Sequence, residues 1–242
     1  NTLDMYHVKY DFDGDLIPGD ATSPGKFELK TNNSGTLINL ADQVNGVARL
    51  STIGSTANDY CNLSLPELNM QAQLSCTMAV RLNATSVADC KVEVGFGDLT
   101  TNVSCINNLA NVTFTATDCA VWVWDTNDAG NPNAWQGVSA ISGTASTTGK
   151  FEPSGLPATY PDTGVFQTLI VALFADSDTQ HAKYILLDAN GYKVVGAESA
   201  WTDAAITYNT QLVPWVGVTT RTTAVKTVDI DYIEVWQRRT VT

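Results

Sequence analysis

Carboxylates are the side chains most ready for chemistry in this sequence. In Asp229-Ile-Asp231-Tyr-Ile-Glu234, strand alternation sets Asp229 and Asp231 on one face, about 7 Å apart along the chain. Paired carboxyl groups are what glycoside hydrolysis requires. A retaining pair stands about 5–5.5 Å apart, one group attacking and the other donating a proton. Asp11-Phe-Asp13-Gly-Asp15 gathers three more carboxylates at a turn. Such an oxygen-rich set suits a hard cation such as Ca2+, although its early glycine and the Thr22 at its twelfth place rule out an EF-hand loop. Asp125-Thr-Asn127-Asp128 and Asp176-Ser-Asp178 are further acidic turns. Acidic turns usually serve only solvation, so Asp11, Asp13 and Asp15 remain the cation candidates, and no other cofactor is expected.

His7 and His181 are the only histidines, and neither stands in a nucleophile or metal motif. No catalytic residue is assigned, and the expectation is a protein without enzymatic activity. Six tryptophans offer a different chemistry, the stacking of sugar rings. Trp122 and Trp124 alternate with Val121 and Val123 and share one face. Facing outward, they and Trp135 would form a sugar platform; facing inward, they are core. The inward placement leads, because large aromatics dominate sandwich cores.

The cysteines at 61, 76, 90, 105 and 119 are odd in number. Hairpins turning at Gly97-Asp98 and Leu68-Asn69 would set Cys90 against Cys105 and Cys61 against Cys76. Up to two bridges are then open. The reading as small buried hydrophobes leads, since direct cross-strand bridges strain disulfide geometry. Asn-x-Ser/Thr sequons at Asn32, Asn62, Asn83, Asn102 and Asn111 are expected by chance in so Asn-, Ser- and Thr-rich a chain.

The elements that must position these residues are strands. The 242 residues are 44% hydrophobic and 16% charged, the balance of a folded chain. A net charge of −12 argues against nucleic acid as a partner. The longest apolar stretches, such as 169–175, are far short of the roughly 18 residues of a membrane helix. The chain starts at Asn1 with neither methionine nor a signal-like segment. Period-two alternation predicts strands over 6–12, 26–30, 46–52, 59–65, 73–82, 91–97, 112–115, 120–125, 166–174, 183–188, 193–196, 213–219 and 227–237. Turn dipeptides punctuate them, and Asn190-Gly191 predicts a tight primed hairpin. Many short strands with frequent turns define an all-β, antiparallel two-sheet sandwich. The expected organisation is one domain over 1–242, with 1–16 either an edge strand beside the C-terminal strand or an arm to a neighbouring subunit.

Leu212-Val-Pro-Trp-Val-Gly-Val-Thr219 and Thr227-Val-Asp-Ile-Asp-Tyr-Ile-Glu-Val-Trp236 resemble the closing strands of concanavalin A-like jelly rolls. Val92-Glu-Val-Gly-Phe-Gly-Asp98 and Ala120-Val-Trp-Val-Trp-Asp125 are similar to the paired central strands of that fold. The 229–234 motif resembles the Glu-x-Asp-x-x-Glu of laminarinase-type glucanases, but Asp229 stands where that family has its glutamate nucleophile. As a whole the pattern looks most like jelly-roll structural proteins of tailed bacteriophages. That resemblance implies a non-enzymatic capsid decoration, or cement, protein on a virion surface. Its partners would be the major capsid protein and copies of itself, as a trimer or dimer. The alternative it implies is an extracellular carbohydrate-binding lectin-like module using Trp122, Trp124 and Trp135. A glucanase is the third.

Overall fold

The computed structural model describes residues 5–12, 27–40, 46–65, 70–86, 88–99, 104–128, 130–132, 134–153, 161, 163–202 and 205–239. In chain order its strands are β1 (Met5–Tyr10), β2 (Glu28–Thr31), β3 (Thr36–Asn39), β4 (Ala48–Ser51), β5 (Tyr60–Ser64) and β6 (Met70–Gln71). Then come β7 (Thr77–Ala84), β8 (Cys90–Gly97), β9 (Ile106–Asn108), β10 (Thr113–Phe114), β11 (Cys119–Asp125) and β12 (Gln136–Ile141). The last six are β13 (Thr144–Phe151), β14 (Gln167–Asp176), β15 (Thr179–Leu187), β16 (Lys193–Glu198), β17 (Gln211–Thr220) and β18 (Thr227–Arg238).

Sheet A runs β16-β15-β14-β7-β18-β4-β3, and sheet B runs β13-β12-β11-β8-β17-β5-β2. All pairings are antiparallel, and the two sheets form the jelly-roll sandwich that the alternation predicts. Residues Met5–Tyr10 of the N-terminal segment pair with the C-terminal half of β18, from Met5 opposite Arg238 to Tyr10 opposite Ile233. β8 and β11, the two strands with the central-strand resemblance, pair over their whole length.

Alternation sends Ala120, Trp122 and Trp124 of β11 into the core between the sheets, with Val92, Val94 and Phe96 of β8 and Tyr184 and Leu186 of β15. The opposite face of the same strands is buried too. Cys119, Val121 and Val123 pack with Val138, Trp215, Cys105, Ile106 and Leu109 in a second cluster. That cluster forms because the β9–β10 hairpin lies over the outer face of sheet B. A buried ion pair anchors it: Lys91 Nζ stands 3.0 Å from Glu93 Oε1, and Glu93 accepts the backbone N–H groups of Cys105 and Ile106 at 3.0 Å each.

Three expectations are corrected. Gly97-Asp98 does not turn a hairpin toward Cys105, because the neighbours of β8 are β11 and β17. Cys61 lies in β5 of sheet B, whereas Cys76 stands just before β7 of sheet A. All five thiols are free and buried. At Asn190-Gly191 only Gly191 has a positive φ, 81°. The loop is wider than a two-residue turn because the Asp188 side chain accepts the N–H groups of Asn190 and Tyr192, both at 2.9 Å.

Candidate functional site

Trp122, Trp124 and Trp135 are all at most 1% exposed. Each indole N–H is satisfied inside: Trp122 donates to Ile170 O at 2.9 Å, Trp124 to Pro132 O at 2.8 Å and Trp135 to Gln167 Oε1 at 3.2 Å. Rings so enclosed have no face for a sugar. Of the two placements open to them, the core is the one the structure shows. Of the cation candidates, Asp11 is half-buried, whereas Asp13 and Asp15 lie outside the described residues. Asn62 and Asn83 are buried strand residues, which closes their two sequons to a glycan.

The glucanase-like carboxylates sit on the outer face of sheet A. A bulge between Ile230 and Tyr232 inserts Asp231 as an extra residue, so Val228 and Ile230, then Ile233 and Val235, keep facing the core. Each carboxylate has a basic partner. Arg49 grips Asp229 with two bonds of 2.6 and 2.8 Å, Arg81 pairs with Asp231, and His7 Nε2 stands 2.8 Å from Glu234 Oε1. The hydrogen bond to Asp229 holds the Arg49 guanidinium above its ordinary pKa. A carboxylate held in a guanidinium fork, as Asp229 is, makes a poor nucleophile and a poor proton donor.

The exposed aromatics point elsewhere. Trp201 is 44% exposed and Phe174 40%. Their centroids are 5.8 Å apart at 51°, with His181 6.1 Å from Phe174. Lys183 Nζ lies 5.7 Å from the centre of the Trp201 ring. Strand alternation on β14 and β15 turns Phe174, His181 and Lys183 outward. Trp201 joins them because its chain segment continues the ladder beyond β16. Thr202 exchanges backbone bonds of 2.8 and 3.1 Å with Ala182, and Ser199 N donates to Tyr184 O at 3.0 Å. Glu198 then fixes the cation, pairing with Lys183 at 2.5 Å and with Lys193. Hydrogen bonds from Lys183 and then Lys193 draw its carboxyl down from the ordinary 4.5 to about 2.

Beneath Trp201 a cavity of about 180 Å³ opens between the rims of the two sheets, lined by Lys150, Phe151, Ser199, Ala200, Trp201 and Thr202. Its floor is rigid. Phe151 stacks on Tyr184 at 6.4 Å and meets the edge of Trp122 at 5.9 Å. Lys150 is held 2.9 Å from the buried Asp128 carboxylate. Burial alone would raise the pKa of Asp128, but hydrogen bonds from Gln136 and Lys150 leave it lowered. An aromatic face beside hydroxyls and a fixed ammonium can stack a flat apolar ring face and hydrogen-bond its polar edge. At about 180 Å³ the cavity is below the ~300–1,000 Å³ of drug-sized sites and suits a single small ring. Nothing in the sequence marks Trp201 out from the other tryptophans except its place in a stretch, Ala-Glu-Ser-Ala-Trp-Thr-Asp-Ala-Ala, without strand alternation.

No family model matches this chain, and no curated protein matches it. Solved structures do. A protein of unknown function from Shewanella oneidensis MR-1 superposes with a TM-score of 0.64 at 16% identity, over 98% of this chain and 88% of that one. Peanut lectin superposes at 0.56 with 8% identity, over 96% and 97%. Lectin II from Ulex europaeus does so at 0.54 with 8% identity, over 96% and 98%. The shared property is the fold alone, a two-sheet jelly-roll sandwich like that of the two lectins.

Proposed function

We propose that this chain is a non-enzymatic, lectin-like recognition module that takes a sugar ring on Trp201 and Phe174, above the cavity at the sandwich rim. The observation that carries this reading is the exposed Trp201 ring, on a segment whose neighbours Ser199 and Thr202 are bonded to β15, beside a cavity with an aromatic floor. The basic partners of Asp229, Asp231 and Glu234 support the absence of hydrolysis. A glycan array followed by calorimetry tests it. We expect millimolar-to-micromolar affinity, weakened about tenfold or more in Trp201→Ala, since a tenfold loss is about 1.4 kcal/mol and one aromatic contact supplies about that. Trp236→Ala, which alters a ring stacked on His7, should bind as the parent does. Equal affinity in Trp201→Ala would displace the site, and no binding to any glycan would remove the function.

A second reading, a virion decoration protein bridging capsomers as a dimer or trimer, draws support from one surface feature. Ile53 and Val225 are 45% and 53% exposed on segments tied together by the Thr52 N to Lys226 O bond. Exposed apolar neighbours of this kind suit a protein interface. Co-sedimentation with capsid particles, lost in Ile53→Asp, would support it. A chain that stays in the light fractions counts against it.

A further inference from the structure

Three of the five thiols are engaged with backbone carbonyls of their own surroundings. Cys61 donates to Thr36 O at 3.4 Å, Cys76 to Gln71 O at 3.1 Å and Cys90 to Ser86 O at 3.0 Å. Cys105 and Cys119 differ, because they face each other. Cys119 stands directly opposite Gly97 in the β8–β11 ladder. Side chains at such opposed positions have Cβ atoms about 4.5–5.5 Å apart. Gly97 has no side chain, and the Cys105 sulfur fills its place: a Cβ built there would collide with Cys105 Sγ. The Cys105 thiol therefore occupies the seat of a cross-strand neighbour of Cys119, and both side chains lie in one buried cluster. The strain of a direct cross-strand bridge does not arise, because Cys105 arrives from the segment above the sheet and not from the ladder. Its carbonyl is fixed by the N–H groups of Thr115 at 2.9 Å and Ala116 at 3.3 Å.

We propose that Cys105 and Cys119 are a thiol–disulfide site that closes on exposure to a small-molecule disulfide such as oxidised glutathione. One protein thiolate attacks a glutathione sulfur, releases one glutathione thiol and leaves a mixed disulfide. The second protein thiolate displaces the other glutathione. In sum, two protein thiols and one glutathione disulfide become one protein disulfide and two glutathione thiols. The bridge fastens segment 105–119 over Val121, Val123 and Trp215. Burial holds the Cys105 thiol protonated, so exchange proceeds while the chain folds or while this segment opens.

The test uses the full chain, reduced and unfolded, then refolded in mixed reduced and oxidised glutathione, alkylated and digested. A protease cutting before aspartate cleaves ahead of Asp98, Asp118 and Asp125, which separates the two cysteines. The expected product is peptide 98–117 linked to 118–124, with Cys61, Cys76 and Cys90 alkylated, in material whose tryptophan emission matches that of the reduced fold. Five alkylated cysteines, a link through any other cysteine, or a link found only in misfolded material would each overturn the proposal. Cys105→Ser, refolded alongside, should return four alkylated thiols and no linked pair. A linked pair in that variant would equally overturn it.

Discussion

Trp201 and Glu198 show how one residue's role depends on another's charge. Glu198 holds Lys183 against the Trp201 ring, and its folded carboxyl titrates near 2 in place of the ordinary 4.5. The folded form therefore binds fewer protons than the unfolded one. The stabilisation is complete above the unfolded value and disappears as pH falls through the folded one. Glu198→Gln should accordingly lower the melting temperature at pH 7, by an amount that shrinks from about pH 4.5 and vanishes near pH 2. A deficit of constant size would show that the pairing is not its cause. Arg49 makes a different prediction. Its partner Asp229 has a side chain only 8% exposed, so Arg49→Met strands a nearly buried carboxylate. The expected loss is about 1–3 kcal/mol, read from urea midpoints. None of these pairings could be read from the sequence, since Arg49 and Asp229 are brought together only by the β4–β18 register.

At the level of strands and turns, packing decides where a side chain would be too much. Gly137 of β12 lies opposite Trp122, and a methyl group on it would fall within the Tyr184 ring. Gly137→Ala should cost about 1–3 kcal/mol and disturb the floor of the rim cavity, visible as a lowered melting temperature and weakened ligand binding together. An unchanged melting temperature would mean that Tyr184 moves aside freely. Strands such as β8, β11 and β18 were legible in the sequence from their density of apolar and β-branched residues; β18 buries one face, whereas β8 and β11 bury both. The β12–β13 hairpin was not, because its Gly, Ser, Ala and Thr residues carry little hydrophobic contrast. Its Ser142-Gly143 turn, with φ of 52° and 73°, was the one available signal. The bulge at Asp231 was equally hidden, since a bulge is a property of pairing between strands, whereas alternation is counted along one. The site was less legible than the fold. Trp201 gains its position from the bridge between its neighbour Thr202 and Ala182, which no local pattern announces.

For the molecule as a whole, the fold was legible and the role was not, since sandwiches of this kind carry unrelated activities on the same frame. In sheet A, β1 covers the C-terminal half of β18 beyond the stretch that β4 pairs. Removing residues 1–10 would leave Ile233–Arg238 of β18 with an unpaired edge. Such a chain should associate with rising concentration in sedimentation experiments while the parent does not. A monomeric truncated chain would show that another segment covers the edge. The central strands of sheet B have a consequence of their own. With protein on both faces, β8, β11 and β17 can meet solvent only when a whole layer lifts. In heavy water their amides should be the last to take up deuterium, at a rate set by global opening, while the edge strands β2, β3 and β16 exchange through local fraying. A brief soak would label the rim of the molecule and leave an unlabelled spine through one sheet.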